Sequence, residues 1–376
     1  MNNSRRLIAL DVMRGITVAG MILVNNPGSW SYIYAPLRHA EWHGLTPTDL
    51  VFPFFMFIMG ISTAISLRRF SFKLSRELAF KILRRTAVIF LIGLLLDRIG
   101  AFCWGIDEKS WLMSGLTSAF NLSNIRVMGV LQRLAICYGC TAVIGALMTR
   151  KAIVWLITIF LIAYSAILLL FDGLEFSDGN IVGVIDRAIL GANHMYHEHA
   201  GGMTLALDPE GLLSTLPSIA HTLIGFLAGR MILATPDIKN RMLNLLLAGT
   251  ALMLAGMMLD YGLPVNKKIW SPTFVLTTCG MASSLLALII FVVDVKGYSR
   301  WATCFKVFGI NPLFLYVVSD VLAVLIDVTL QGAPFRWFQS FCSSPEMASM
   351  LYAVSFVALN WLIGYPLYRR HIIIKI

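Results

Sequence analysis

Residues 38–67 read RHAEWHGLTPTDLVFPFFMFIMGISTAISL, a polar segment holding His39, Glu41 and His43 that runs directly into an apolar stretch, 48–67, whose only charge is Asp49. About twenty apolar residues are enough to cross the roughly 30 Å hydrocarbon core of a bilayer as a helix. This stretch therefore reads as a membrane span with titratable groups at its boundary. Histidine titrates near neutral pH and a carboxylate can orient it, so such a cluster has the makings of a reaction site. The plainer alternative is an interfacial loop held by Trp42.

The rest of the chain repeats the pattern. Its 376 residues are 58% hydrophobic and only 13% charged, whereas soluble domains carry roughly 25% charged residues. The mean hydropathy is +0.76. Hydropathy predicts about ten spans, near 7–26, 48–67, 79–97, 126–148, 152–171, 213–233, 242–260, 271–293, 304–326 and 349–368. The expected fold is an all-α polytopic membrane protein, one transmembrane unit over 1–376 with a long extracytoplasmic loop at 172–212. Asp11 and Arg14 interrupt the first apolar stretch and no small-residue cleavage site follows, so it reads as a retained helix rather than a signal peptide.

Charge sets the expected orientation. With the N-terminus in the cytoplasm, the inner tails and loops hold 20 of the 30 Lys and Arg, including Arg5, Arg6, Arg68, Arg69, Lys73, Arg84, Arg85 and Lys375. Outer loops hold eight, among them Arg38, Arg126, Lys109, Lys267 and Lys268. The positive-inside rule then places both termini in the cytoplasm and His39 outside. The net charge of +10 is thus a topology signal, and no soluble basic domain points to nucleic acid. Anionic lipid accounts for most of the inner basic residues, while the cluster from Arg68 to Arg85 also suits a phosphate-bearing ligand.

Six cysteines stand at 103, 137, 140, 279, 304 and 342 without metal-ligand spacing. Cys137 and Cys140 lie in an apolar helix and read as packing, whereas Cys103 and Cys342 fall in outer loops where an oxidising compartment permits a disulfide. His194, His197 and His199 in NHMYHEHA lack a closed ligand set, so no metal is expected. Glycines around IVGVIDRAIL suggest a looped cap with short elements. Asp11, Arg14, Gln132, Arg133, His221 and Asp320 lie within spans, where a charge at mid-bilayer costs about 2.5–3.5 kcal/mol unless paired or facing a polar cavity. Together they predict a polar interior, with structural pairing and function weighted evenly. Helix-breaking motifs mark span ends: VNNPGSW (24–30), DPEGLLSTLPS (208–218), VNKKIWSP (265–272) and FGINPLFLY (308–316). Each is explained as well by helix capping as by ligand contact.

Taken in order, RLIALDVMRGITVAGMILVNN, RHAEWHGLTPTDLVFPFFMFIMG, RVMGVLQRLA, IDRAILGANHMYHEH, LDPEGLLSTLPSIAHTLIGFLAG, VNKKIW and FGINPLFLYV resemble the heparan-alpha-glucosaminide N-acetyltransferase family and its bacterial NagX-type members. The resemblance covers almost the whole chain and implies the shorter bacterial form, without the N-terminal luminal region and extra span of lysosomal members. It implies a multi-pass protein of the bacterial inner membrane. The activity implied is transfer of acetyl from cytosolic acetyl-CoA to the amine of a glucosamine or terminal glucosaminide on the opposite side, in a homodimer. The family's active-site histidine maps to His39 in HAEWHGLT, and its asparagine at the end of the preceding span to Asn25 in LVNN. His43 stands where the lysosomal motif has Asn, so no catalytic role passes to it.

The chemistry of these residues is compatible with that assignment. A protonated amine is not a nucleophile, and neutral imidazole can take its proton during attack on a thioester, typically worth about 10²–10⁴-fold. Asn25 suits oxyanion stabilisation or orientation of the histidine, and Asp49 or Glu41 can orient His39. Direct transfer in a ternary complex is the favoured reading, with an acetyl-histidine intermediate as the alternative. Arg14, Gln132, Arg133 and Asn311 are expected to line the donor's path; Asp208, Glu210, Asn266 and Lys268 are expected to contact the sugar. Competing functions are an amino-sugar transporter, which would consume no thioester, and O-acylation of a surface polysaccharide.

Overall fold

The computed structural model describes residues 7–105 and 111–374; Arg5, Arg6, Lys109 and Lys375, whose charges bear on the orientation, lie outside them. The described residues form helices α1 (Ile8–Asn25), α2 (Val51–Leu67), α3 (Arg76–Trp104), α4 (Trp111–Phe120), α5 (Val130–Leu147), α6 (Arg150–Leu170) and α7 (Ile181–Leu190). There follow a hairpin of β1 (His197–Ala200) and β2 (Met203–Ala206), then α8 (Thr215–Ala234), α9 (Ile238–Leu259), α10 (Pro272–Ile289), α11 (Thr303–Ile310), α12 (Pro312–Leu330), α13 (Ala333–Gln339) and α14 (Pro345–Arg369). Ten of these segments are long and apolar enough to cross a membrane: α1, α2 with its flanking turns, α3, α5, α6, α8, α9, α10 with the π-turn that ends it, α12 and α14. The chain is an all-α polytopic membrane protein.

Nine spans follow the hydropathy reading, the third running on to Trp104. The ninth does not. Hydropathy puts it at 304–326, but it occupies Pro312–Leu330, and Thr303–Ile310 forms the separate helix α11. The break escapes hydropathy because both pieces are apolar; Pro312, which has no N–H to donate, starts the new helix at its first position.

The spans sort into two shells. More than half of the apolar window is buried in α1, α2, α5, α8 and α10, and a third or less in α3, α6, α9, α12 and α14. The outer helices thus face lipid while the inner ones carry the buried polar groups, including Thr63, Gln132, Arg133, Thr141, Ser218, His221, Thr222 and Thr278. Some hydroxyls here are satisfied locally: Ser218 and Thr222 donate to the carbonyls of Ser214 and Ser218 at 2.8 and 3.0 Å. Glycine permits the closest approach. A Cβ on Gly15 of α1 would collide with the Phe305 carbonyl of α11, and one on Gly60 of α2 would collide with the Thr222 carbonyl of α8. At the π-turn, Asp294 reaches the start of α1 and accepts from the N–H groups of Ile8 and Ala9 at 3.1 and 3.0 Å.

Alternation of the spans gathers the loops 26–46, 111–129, 171–214, 260–271 and 331–344 at one end of the bundle, and those at 68–75, 235–237 and 296–311 at the other. In the long loop, IVGVIDRAIL forms α7, capped by Asn180, whose side-chain oxygen accepts from Val182 N–H at 3.0 Å. Trp42 Nε1 donates to the Leu174 carbonyl at 2.7 Å, fastening the His39 segment to this loop. All six cysteines are free thiols, so Cys103 and Cys342 are not joined.

Candidate active site

A short helical turn, Pro47–Leu50, leads into α2 behind the cap residue Thr46. Its third residue, Asp49, reaches back as a capping-box partner and is 1% exposed. One carboxylate oxygen, Oδ2, accepts from Ala40 N–H, Thr46 N–H and the Thr46 hydroxyl at 3.1, 3.1 and 2.9 Å. The other, Oδ1, lies 2.6 Å from His39 Nδ1. Every neighbour of this carboxylate is a donor, so in the neutral ring Nδ1 carries the proton toward it and Nε2 keeps its lone pair. The His39 side chain is about a third exposed, so the imidazole is accessible to a substrate.

The loop before α10 adds a cation. Asn266 folds the turn by accepting from the N–H groups of Lys268 and Ile269 at 2.7 and 3.2 Å, while Ser271 caps α10. Buried Trp270 sits at φ +52°, a left-handed conformation unusual for a bulky side chain. A bond from Gly44 N–H to the Val265 carbonyl, 2.8 Å, ties this loop to the His39 segment. Lys267 Nζ is thereby placed 3.4 Å from Asp49 Oδ1 and 3.1 Å from His39 Nδ1. With the Nδ1 proton directed at Asp49, the ammonium has no lone pair to meet on that nitrogen; its attraction is to the carboxylate. Burial pulls the Lys267 pKa down, and Asp49 and Glu210 oppose that pull. Lys268 turns away and pairs with Glu198 of β1 at 2.6 Å.

A second ionic cluster lies beside the first. Arg126 grips Asp208 through both carboxylate oxygens, Nε to Oδ2 at 2.9 Å and Nη2 to Oδ1 at 2.6 Å, and reaches Glu210 at 2.7 Å. Asp208 also accepts from the N–H groups of Tyr196 and Glu210. Burial drives the Glu210 pKa up, but Arg126, Arg133 and Lys267 outweigh it and hold the carboxyl below its ordinary range. Arg133 is fully buried, donating to the Gly211 carbonyl at 3.0 Å and to Ser214 Oγ, with its guanidinium 5.2 Å from the centre of the Trp270 ring. Asp208, Glu210 and Arg133 are thus engaged by protein partners.

Arg126 also lines a cavity of about 590 Å³. Its lining includes Asn25 at the end of α1 and Trp30 beyond it, Gly93, Asp97 and Trp104 of α3, Arg126, Gln132 of α5, and Tyr316, Asp320 and Asp327 of α12. Of the residues nominated from sequence, Asn25 and Gln132 line it. His39 is not among its lining residues, and Asn266 lies close to His43 at 3.5 Å. Arg14 and Asn311 sit deeper, toward the opposite end, with protein partners. Arg14 donates to Ser62 Oγ and the Gly309 carbonyl at 2.8 and 3.2 Å, and Asn311 exchanges two 2.8 Å bonds with Ile372 and Ile374.

Sequence reasoning missed Lys267 and Arg126 as site residues although both lie in recognised motifs, VNKKIW and RVMGVLQRLA; their partners are more than 80 residues away or in another loop. Among the described residues no three His, Cys, Asp or Glu side chains converge as metal ligands. His194 instead contacts the Ile125 carbonyl at 2.9 Å, and His199 the Thr204 hydroxyl at 2.6 Å.

No known family model matches the chain. It is 29% identical to heparan-alpha-glucosaminide N-acetyltransferase of Mus musculus over 100% of its own length and 61% of that protein's. It is 30% identical to the Homo sapiens protein of the same name over 99% of its own length and 60% of that protein's. The chain therefore spans about three fifths of the length of these relatives.

Proposed function

We propose that the chain belongs to the heparan-alpha-glucosaminide N-acetyltransferase family, as its similarity to the two relatives along its whole length supports, and that it is a transmembrane N-acetyltransferase moving acetyl from cytosolic acetyl-CoA to the amine of an amino sugar on the opposite side. The carrying observation is the His39–Asp49 pair, an accessible imidazole whose tautomer is held by a buried carboxylate at 2.6 Å. The amine nitrogen attacks the thioester carbonyl as its proton passes to His39 Nε2. The tetrahedral intermediate then expels CoA thiolate, which takes up a proton as the amide forms, and His39 returns to neutral. Asn25 is the amide suited to the developing oxyanion. Lys267, fixed beside Asp49, adds positive potential next to His39. Acetyl-CoA is a substrate here, and the exposed basic residues Arg68, Arg69 and Lys73 at the far end of the bundle fit its phosphates.

In this reading both termini are cytoplasmic and the His39 end faces outward, with the excess of basic residues on the inner loops as support. The whole chain is one acyltransferase unit, expected to dimerise in the bacterial inner membrane. Sidedness is the test. Proteoliposomes enclosing acetyl-labelled CoA, with glucosamine outside, should release labelled N-acetylglucosamine outside and free CoA inside. Labelled product only when both substrates share one side would sink transmembrane transfer. Sugar uptake without CoA release would identify a transporter instead.

A further inference from the structure

The cavity beside Arg126 holds groups that acetyl transfer at His39 leaves unused. Gln132 is 4% exposed, and among the described residues its amide makes no hydrogen bond. It lines the cavity, and Gly93 gives it room, since a Cβ there would lie 2.5 Å from Gln132 Oε1. A buried amide without a protein partner marks a place where something else supplies the bonds.

The charges around it are unbalanced. Asp97 is paired with Arg98, and Arg126 is shared between Asp208 and Glu210. Asp320 has a neutral neighbour, the Tyr316 hydroxyl, and among the described residues no Lys, Arg or His forms an ion pair with it or with Asp327. The largely exposed ring of Trp104 adds an aromatic surface on which a sugar ring can stack. A volume of about 590 Å³ is in the range of small-molecule sites.

We propose that this cavity is a saccharide subsite for an amine-bearing acceptor without anionic groups, in which Asp320 takes the ammonium of a second amino sugar, Gln132 its hydroxyls and Trp104 its ring. The inference rests on the acetyl-transfer reading and narrows the acceptor. The reacting amine goes to His39 and loses its proton there, while the neighbouring sugar's amine stays protonated on Asp320. Acceptors bearing carboxylate or sulfate meet repulsion from Asp320 and Asp327.

Three acceptors separate the outcomes: glucosamine, its β1,4-linked dimer, and a glucosamine–uronate disaccharide. The parent protein should show kcat/KM for the dimer at least about tenfold above that for the uronate disaccharide, the usual scale for one charge-assisted contact. Asp320→Asn should collapse that ratio through KM, and Trp104→Leu should weaken the dimer without reversing the preference. Preference for the uronate disaccharide, or an unchanged ratio in folded Asp320→Asn, would overturn the proposal. Dimer binding followed by tryptophan fluorescence without any acetyl donor keeps the two readings apart. Binding lost in Asp320→Asn but kept in His39→Ala supports the subsite even if no acetyl transfer occurs, and binding indifferent to Asp320 refutes it even if transfer does occur.

Discussion

Replacing Asp49 by Asn changes one atom and, on this geometry, inverts the histidine. Three donors converge on Oδ2, from Ala40 N–H, Thr46 N–H and the Thr46 hydroxyl. They will hold the amide oxygen of Asn in that position. The NH₂ group must then occupy the Oδ1 position, 2.6 Å from His39 Nδ1. A donor there cannot face Nδ1–H, so the imidazole shifts its proton to Nε2 and loses the lone pair that accepts the amine's proton. General-base catalysis is worth about 10²–10⁴-fold, and the corresponding carboxylate-to-amide change in Ser-His-Asp triads costs about 10⁴. At 1.36 kcal/mol per tenfold this is roughly 3–5 kcal/mol of transition-state stabilisation. Turnover should therefore slow by about two to four orders of magnitude with KM little changed, measured as CoA release by purified protein with saturating acetyl-CoA and glucosamine. Because the two residues act as a unit, His39→Ala with Asp49→Asn should be little worse than His39→Ala alone. A folded Asp49→Asn protein within tenfold of the parent would refute the tautomer argument.

The packing and charges set three further outcomes. Arg126→Gln leaves Asp208 and Glu210 buried without their cation, which should cost about 3–5 kcal/mol and lower the melting temperature in detergent; adding Asp208→Asn should restore part of it. Gly15→Ala drives a Cβ into a backbone carbonyl, whereas at Gly20 the nearest atom is a Val51 methyl at 3.2 Å. Thermal unfolding should therefore show a loss of about 1–3 kcal/mol or more for Gly15→Ala and a small change for Gly20→Ala. The carboxyl of Asp186 is pushed up by burial from 3.8 to about 6, against the opposing bond from Leu213 N–H. The folded state thus holds this proton more tightly than the unfolded chain does. Its contribution is complete below pH 3.8 and disappears as pH rises through about 6, on the order of 3 kcal/mol for a shift of about two units. Asp186→Asn should flatten that part of the melting-temperature profile between about pH 4 and 6.

Hydropathy sufficed for nine spans because each apolar run is long enough to specify its own helix, whatever its neighbours. It failed at Asn311–Pro312, where the apolar character continues through a change of helix. Local chemistry was legible too: Thr46 and Asp49 are three apart, and IVGVIDRAIL has the form of a short amphipathic helix. Contacts between distant segments were not. Arg126 meets Asp208 across 82 residues, so the carboxylates that read as free for a sugar are occupied. Lys267 and Lys268 are adjacent in sequence, but the turn aims the first at Asp49 and the second at Glu198. Polarity alone nominates Arg14 and Asn311 for a donor path; polarity inside a span calls for a partner, and here protein groups supply it.

The most direct test of the central claim is the stoichiometry of products from purified protein. Acetyl-CoA and glucosamine are supplied, and free CoA and N-acetylglucosamine are measured for the parent and for His39→Ala. Equal amounts of both products in the parent, with loss of both in a folded His39→Ala protein, is the predicted result. Product formation at parental rates without His39, or no product from a folded parent across a panel of amino sugars, would contradict it.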